Sequence, residues 1–399
     1  MSHIEELRKF YKGRRVLVTG HTGFKGSWLC VLLSYLGAEV YGYALEPDTE
    51  PSLFSILYGN EHEGKLDLSA DALSVRAAGG EAIKGDKALG GEKAEPEAKF
   101  LGRIHSHIGD IRDFDELKAF FEKARPEVVI HLAAQPIVRE SYRIPRETYE
   151  INVMGTVNVL ECVRLIQGCR SVLNVTTDKV YLNEEREGYG YREEDKLDGY
   201  DPYSNSKSCS ELVTHSYKAA FFDKADIRVS TARAGNVIGG GDFAKDRIIP
   251  DFVRAVKAGT GLRVRNPYST RPYQHVLEPL FAYLYIAMRQ WDDSAFSGWY
   301  NVGPDDCDCV TTGELCDLFV RAYGAGACWH SEAEADAPHE ASFLKLDNQR
   351  LKETFGLHPV WHIDEAVRAS ADWTKAWLKG DGASVRELIS EIERFGERF

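Results

Sequence analysis

Over the first half of this chain, short apolar β-branched runs alternate with amphipathic stretches. RRVLVTG (14–20) ends in glycine, SWLCVLLSYLG follows with apolar residues at helical spacing and a glycine stop, and EVYGYAL reads as a second strand. EVVIHLAA, SVLNVTT and IRVSTAR continue the series, separated by helix-like segments such as FDELKAFFEKA. Apolar strands alternating with helices imply βαβ units and a parallel sheet buried on both faces. The expectation is an α/β fold, a Rossmann-type doubly wound parallel sheet over residues 1–235. Residues 236–399 are less regular, with helical patterns at RIIPDFVRAVKAG, PLFAYLYIAMRQ, TTGELCDLFVRAYG and IDEAVRASADWTKAWLKG around strands such as LRVRN and GWYNV. They predict a smaller mixed α/β C-terminal substrate domain, with part of 270–300 returning to the first. Ligands favour the crevice between two such units. Residues 59–103, rich in Ala, Gly, Lys and Glu, interrupt the alternation where connections usually run only about 2–6 residues, and they read as a surface insertion.

Composition narrows the class. The chain has 399 residues, 43% of them hydrophobic and 28% charged, enough to bury a sizeable core. Its formal charge of −13 argues against sequence-independent nucleic-acid binding, which needs a basic face. No apolar run approaches the roughly 20 residues that span a bilayer, and the polar start MSHIEELRKFYKGRR shows no signal peptide. Cys307 and Cys309 form a C-x-C, but no second pair completes a zinc pattern, so the eight cysteines read as thiols of a reducing cytosol. A cytoplasmic protein is expected, with no metal, membrane or nucleic-acid partner.

The first strand runs into Thr19-Gly20-His21-Thr22-Gly23-Phe24-Lys25-Gly26 and then a helix. The spacing is looser than G-x-G-x-x-G, but the strand–turn–helix context is that of a dinucleotide loop. Gly20 permits the tight turn, Gly23 lets the backbone approach a pyrophosphate, and Gly26 allows close helix–strand packing. The helix N-terminus then faces the anion. His21 and Lys25 are candidate phosphate-pairing cations, and Asp110, with Ile111 after it, is placed to meet the adenine edge. An acid about 20 residues on, at the end of the second strand, usually marks NAD. Here that strand ends Gly42-Tyr43-Ala44-Leu45, with Glu46 and Asp48 only beyond it. The residues alone therefore leave NAD and NADP weakly separated.

Tyr203 and Lys207 lie four apart in a helical run, on one face and one turn from each other. A phenol of pKa about 10 is a poor base, and a neighbouring cation favours its phenolate. The pair suits removal of a proton from an alcohol as hydride leaves its carbon. The fifth strand ends Thr176-Thr177-Asp178-Lys179, at the edge that faces the crevice. Thr177 can hydrogen-bond the alcohol, while Asp178 and Lys179 add an acid and a base that a simple dehydrogenase does not need.

Together the glycine loop, HLAAQ (131–135), the strand ending at Thr177 and Tyr203-x-x-x-Lys207 resemble the extended short-chain dehydrogenase/reductase superfamily. Within it, GHTGFKGSWL (20–29), EPSLF (50–54), HLAAQPIVRESY (131–142), TTDKVY (176–181), GYDPYSNSKSCSELV (199–213), ARAGNVIGGGDFAKDRIIPD (232–251) and RPYQHVLEPL (271–280) resemble the CDP-D-glucose 4,6-dehydratases. The Asp-Lys pair discriminates most, since dTDP-glucose and GDP-mannose dehydratases carry Asp-Glu or a near equivalent there and epimerases lack the acid/base pair. The resemblance implies an NAD-binding first domain, with Phe24 and Ala133 joining Gly20, His21, Gly23, Lys25, Gly26, Asp110, Ile111, Tyr203 and Lys207 at the cofactor. It implies a nucleotide-sugar-binding second domain, with Asn236, Arg247, Arg265 and Arg271 holding the substrate. Recognition of cytosine rests on the resemblance, as does a homodimer formed by ETYEINVMGTVNVLECVRLI and the helix of Tyr203. The implied reaction is an internal redox dehydration: C4 oxidation, loss of water across C5 and C6, and return of hydride to C6. The 59–103 segment, Tyr273 where the family commonly has tryptophan, and Val180 and Leu182 depart from the pattern. A dehydratase or epimerase acting on a dTDP-, GDP- or UDP-sugar and a non-catalytic NAD(P)-binding regulator are the alternatives.

Overall fold

The computed structural model describes residues 2–59, 104–186, 188–332, 343–380 and 382–399. The 59–103 segment, apart from Gly59, lies outside the described residues. Six strands appear in turn: β1 (Arg15–Thr19), β2 (Glu39–Ala44), β3 (Ile104–Ile108), β4 (Val128–His131), β5 (Ser171–Thr177) and β6 (Arg228–Ala234). Short strands follow: β7 (Val237–Ile238), β8 (Leu262–Val264), β9 (Thr270–Pro272), β10 (Gln274–His275), β11 (Trp299–Val302), β12 (Cys309–Thr311) and β13 (Trp329–Ser331). Seven of these form one sheet in the order β11-β6-β5-β4-β1-β2-β3. Every neighbouring pair in it is parallel.

The strand sequences explain why both faces are covered. Within β1, Val16 and Val18 belong to the core shared with Trp28, Leu29, Leu280 and Leu284, while Leu17 points to the opposite core with Phe121, Val159 and Phe222. Val128 and Ile130 alternate with Val129 in the same way on β4. A strand apolar at every position has no solvent face, and only helices on both sides can bury it. The strand order reverses between β1 and β4, so their carboxyl ends diverge and leave the crevice in which ligands of such sheets bind.

The later sequence is divided between two cores. The helix Leu277–Asp292 lies against the sheet, with Ser171 Oγ donating to Ala287 O at 2.8 Å and Gln290 Nε2 to Val172 O at 3.0 Å. The last helix, Ala383–Gly396, also packs Leu388, Ile392 and Phe395 into the first core. A separate core joins the helices Ile248–Ala258, Thr312–Tyr323 and Ile363–Lys379 through Phe252, Phe319 and Val367. Between the two stand the small pairs β7–β10, β9–β12 and β8–β13. Among the described residues no helix is long and apolar enough to cross a membrane, and the eight cysteines are free thiols. Cys307 lies beside Asp308 and His362. Asp308 accepts from His362 Nδ1 at 3.0 Å and from Ile363 N at 2.9 Å, which ties down the start of Ile363–Lys379.

A buried ion pair joins the helix Pro202–Tyr217 to the sheet. Glu211 accepts from Thr231 Oγ1 at 2.7 Å and from Arg233 Nε and Nη2 at 3.0 Å each. Burial alone would raise the pKa of this carboxylate, but Arg233 and hydrogen bonds from His215 and Thr176 outweigh it and hold the group at about 2. With the folded value below the ordinary 4.5, its contribution to stability is full above pH 4.5 and is lost as pH falls towards 2. Arg233→Leu would leave the carboxylate buried without its cation, at a cost of about 3–5 kcal/mol. Urea unfolding at neutral pH should show that loss, and the variant's stability should no longer fall between pH 4.5 and 2 on account of Glu211.

Candidate active site

A cleft of about 1230 Å³ opens at the carboxyl ends of the sheet, bounded by the glycine loop, the ends of β4 and β5, the helix of Tyr203, and residues 234–273. The loop is compressed. Gly20 has φ +77°, and a Cβ there would come within 2.8 Å of Ala133 N. A Cβ on Gly26 would lie 2.0 Å from Gly20 O, so the helix Phe24–Tyr35 rides directly on the turn before it. Gly23 is that helix's N-cap and provides no side chain to cap it. The first turn is thereby shaped for an anion.

Gly20, Gly23, Phe24, Lys25, Gly26, Asp110, Ile111 and Ala133 all line the cleft. His21 does not, which corrects its assignment as a phosphate-pairing cation. Its ring is fully buried, Nε2 hydrogen-bonds Ser106 Oγ at 2.7 Å, and the ring packs so tightly on Gly42 that a Cβ there would come within 2.4 Å. It is a filler beneath the loop. Asp110 is held by Arg112, whose Nε and Nη2 donate at 2.9 and 2.6 Å. Burial would raise the pKa of Asp110, but these bonds hold it below its ordinary value.

Asp201 and Pro202 start the helix that carries Tyr203. Asp201 Oδ1 accepts from Ser204 N at 3.0 Å, and proline occupies the first helical position. This cap puts Tyr203 in the first turn and Lys207 in the next, both buried and both lining the cleft. Burial raises the Tyr203 phenol to about 12, against a hydrogen bond with Thr177 that lowers it. Burial lowers the Lys207 ammonium to about 8, with Glu211 opposing. Lys207 Nζ donates to Val175 O at 3.2 Å.

Thr177 Oγ1 donates to Asp178 Oδ1 at 2.9 Å, and Lys179 Nζ reaches the same oxygen at 3.0 Å and Asn236 Oδ1 at 3.4 Å. The two charged residues differ in depth: Lys179 lines the cleft with its side chain 28% exposed, while Asp178 is wholly buried behind it. Oδ2 of Asp178 has no hydrogen-bond partner among the described residues and faces Gly235, where a Cβ would lie 3.2 Å away.

Asn236, Arg247, Arg265 and Arg271 also line the cleft. Arg247 pairs with Asp242 at 2.9 Å, Arg265 with Asp246 at 3.0 Å, and Arg271 donates to Thr270 O at 2.9 Å. Lys25 lies within their field: burial, then Arg247, Lys207 and Lys179, lower its ammonium to about 7 against the pull of Asp178. Glu46 and Asp48 line the same cleft just past β2, although the sequence places them beyond the strand end. Sequence reasoning missed Asp201, Asp242 and Glu211. The Asp-Pro before Tyr203 is a legible helix start, and Glu211 stands one turn beyond Lys207; nothing local marks Asp242.

Residues 16–303 match the NAD dependent epimerase/dehydratase family. The chain belongs to that family. A CDP-glucose 4,6-dehydratase of Salmonella typhimurium is 43% identical over 390 residues, 96% of this chain and 97% of that protein. Among solved structures, a UDP-glucose 4-epimerase of Thermus thermophilus in complex with NAD aligns with TM-score 0.68 at 22% identity, covering 90% of this chain and 99% of its own. A dTDP-glucose 4,6-dehydratase of Bacillus anthracis in complex with NAD aligns with TM-score 0.63 at 18% identity, covering 91% and 97%. These two likenesses establish the fold. Its cofactor, as a member of this NAD-dependent family, is NAD, and the residues present fit it: a glycine cradle that side chains would fill, a helix start without a side-chain cap, and two carboxylates, Glu46 and Asp48, in the cleft just past β2.

We propose that Lys25, which lines the cleft beside the glycine loop, pairs with a cofactor phosphate and so makes NAD binding pH-dependent. An ammonium whose pKa is lowered to about 7 is charged below that pH and regains affinity for its proton beside a phosphate. Calorimetry should show NAD affinity weakening as pH rises through 7 to 8.5 (about one unit and a half above the Lys25 value), and Lys25→Met should flatten the dependence while lowering affinity on the order of tenfold.

Proposed function

We propose that this chain dehydrates CDP-D-glucose to CDP-4-keto-6-deoxy-D-glucose in the cytoplasm, as a hydro-lyase that regenerates NAD within each turnover. The observation that carries the reading is the Asp178–Lys179 pair, 3.0 Å apart and adjoining Thr177 at the end of the strand that faces Tyr203. An alcohol dehydrogenase needs a base for one hydroxyl proton; a dehydratase needs a second acid and base for C5 and C6. The Salmonella relative, similar over nearly the full length of both chains, supports the choice of sugar nucleotide.

When bound, NAD supplies a reversible hydride acceptor. Tyr203 takes the C4 hydroxyl proton, with Thr177 hydrogen-bonded beside it and the Lys207 charge one turn away favouring the phenolate. The resulting 4-ketone acidifies C5. Lys179, at the cleft surface, removes the C5 proton, while Asp178, buried behind it, supplies through its bonded neighbours Thr177 and Lys179 the proton with which the C6 hydroxyl leaves as water; C5 then recovers a proton from Lys179 as hydride returns to C6. Arg247, Arg265 and Arg271 offset the diphosphate's charge.

Incubation with CDP-D-glucose and NAD should give the alkali-absorbing 4-keto-6-deoxy product, with little or none from dTDP-glucose or GDP-mannose. Product from another nucleotide sugar alone would keep the mechanism and overturn the substrate; NAD binding with no product from any would favour a regulator. In Asp178→Asn and Lys179→Ala, initial C4 oxidation should persist as reduced-nicotinamide absorbance in a single turnover, while product formation falls by about 10²–10⁴-fold. Equal loss of both steps in Lys179→Ala would refute this division of roles.

We also propose a homodimer. The helices Gly155–Leu165 and Pro202–Tyr217 leave Leu165 and Leu212 exposed, and the π-helical turns beside them expose Met154 and Phe221. Exposed apolar side chains on adjacent helices suit a two-fold four-helix contact. Sedimentation should give twice the 44.8 kDa chain mass, and Leu212→Glu should yield monomers; a wild-type monomer would remove the proposal.

A further inference from the structure

Outside the cleft, one turn gathers three side chains of different chemistry. Between β11 and β12 the chain makes a short 3₁₀ turn, Asp306–Asp308, closed by Asp308 N donating to Asp305 O at 3.0 Å. Asp308 Oδ1 accepts from Ile363 N at 2.9 Å and is thereby committed to the start of the helix Ile363–Lys379. Oδ2 stands between Cys307 Sγ at 3.6 Å and His362 Nδ1 at 3.0 Å, and sulfur, nitrogen and oxygen all lie within 4.8 Å of one another. Cys309 does not join them, because its thiol turns to Asp305 O at 3.8 Å. The Asp308 side chain is only 4% exposed, and among the described residues no lysine or arginine pairs with it. Carboxylates are seldom buried to that extent without a cation. Cys307 and His362 are exposed, so the three atoms form a set open to solvent above a fixed carboxylate. None of the three residues lines the cleft.

We propose that Cys307, Asp308 and His362 bind a zinc ion, with water in the fourth position. Zinc bonds of about 2.0–2.3 Å at tetrahedral angles put ligand atoms roughly 3.3–3.6 Å apart. The separations from Asp308 Oδ2, 3.0 and 3.6 Å, are already close to that. The donor set selects the ion: thiolate and imidazole suit zinc, whereas magnesium and calcium take oxygen ligands. Charge agrees, since a thiolate and a carboxylate carry two negative charges that a divalent ion neutralises, giving Asp308 the cation it lacks. On binding, the thiol releases its proton to solvent, and the imidazole coordinates through Nδ1 with its proton on Nε2. The C-x-C pattern alone predicts no such site, because the third donor comes from 54 positions beyond Asp308. The ion joins the turn after β11 to Ile363–Lys379, the helix that places Val367 in one core and Trp373 in the other. It is a clip on the packing of the two cores rather than a group of the reaction.

The test uses the full chain, reduced and freed of metal by a chelator, titrated with zinc and in parallel with cobalt(II). Wild type should take up one ion at this site, with a thiolate-to-cobalt charge-transfer band in the near ultraviolet and the strong visible bands of a tetrahedral ion. Cys307→Ser should remove the charge-transfer band and weaken zinc binding at least about tenfold. His362→Asn keeps a residue suited to starting a helix; it should weaken zinc by a similar factor while the charge-transfer band persists. Cys328→Ser, which removes the other exposed thiol, should change neither. NAD affinity, read at the separate cleft, should be the same in all three variants and reports that each is folded. The midpoint of thermal unfolding should rise with zinc concentration in wild type and not in Cys307→Ser. A wild type without the charge-transfer band, a band that survives Cys307→Ser, or zinc affinity unchanged in both Cys307→Ser and His362→Asn would overturn the proposal.

Discussion

One buried carboxylate ties the reacting residues to the sheet. Glu211 is fully buried, follows Lys207 by one helical turn and Tyr203 by two, and is bonded to Thr231 and Arg233 on β6. It also accepts from Thr176 Oγ1 at 2.5 Å, and Thr176 immediately precedes Thr177. The distance between the helix of Tyr203 and the strand that leads into Asp178–Lys179 is therefore set by charge-assisted hydrogen bonds rather than by packing alone. Burying two ions costs several kcal/mol each in desolvation, and their attraction repays this only with good geometry. Such a pair contributes little net stability over an apolar replacement. Its effect here is positional, since a carboxylate with bonds on two strands and a helix fits only one register.

Charge is distributed on the same local scale. The chain carries −13 overall, yet Lys25, Lys179, Lys207, Arg247, Arg265 and Arg271 all face one cleft. Acidic residues stand among them with specific partners: Asp178 for Lys179, Asp242 for Arg247, Asp246 for Arg265. Fields of exposed charges are screened beyond about 8–10 Å at physiological salt, whereas groups within a cleft interact with less screening. An acidic surface and an anion-binding cleft are thus compatible in one molecule. The partner carboxylates hold the long cationic side chains in place, which lowers the conformational entropy lost when an anion arrives.

The parts of this arrangement legible in the sequence are those built from short-range rules. Apolar runs such as VLV in β1 and VVI in β4 betray a two-faced sheet, the glycine spacing marks its first turn, and Tyr203 with Lys207 share a helix face by spacing alone. The place of His21 is not legible in the sequence, because loop membership says nothing about which way a ring turns; the missing Cβ of Gly42, distant in sequence, makes the space that the ring fills. The C-terminal helix shows the same limit. Its amphipathic pattern is plain, but that Leu388, Ile392 and Phe395 return to the first core depends on contacts across the chain. Asp242 and the depth difference between Asp178 and Lys179 are likewise tertiary facts. Asp178 and Lys179 lie just past β5 in a single 3₁₀ turn, Asp178–Val180, where neighbouring side chains diverge by about 120°, so a sequence pair does not imply a pair at one surface.

That depth difference bears on the two successive proton transfers of the proposed reaction. Tyr203 and Lys207 both sit in dry surroundings that favour their neutral forms, the phenol pushed up to about 12 and the ammonium down to about 8. Such groups respond strongly to a charge placed beside them, because little water is present to screen it. Lys179 keeps access to the cleft, and Asp178 keeps one oxygen, Oδ2, without a partner while Oδ1 accepts from both Thr177 and Lys179. The bonded oxygen fixes the carboxyl plane; the other is the one available to carry a proton. A hydroxyl shared between Tyr203 and Asp178, that of Thr177, connects the oxidising half of the site to the eliminating half. In the proposed reaction the groups that serve C4 and C6 thus stand at the two ends of one hydrogen-bonded chain, Tyr203 to Thr177 to Asp178.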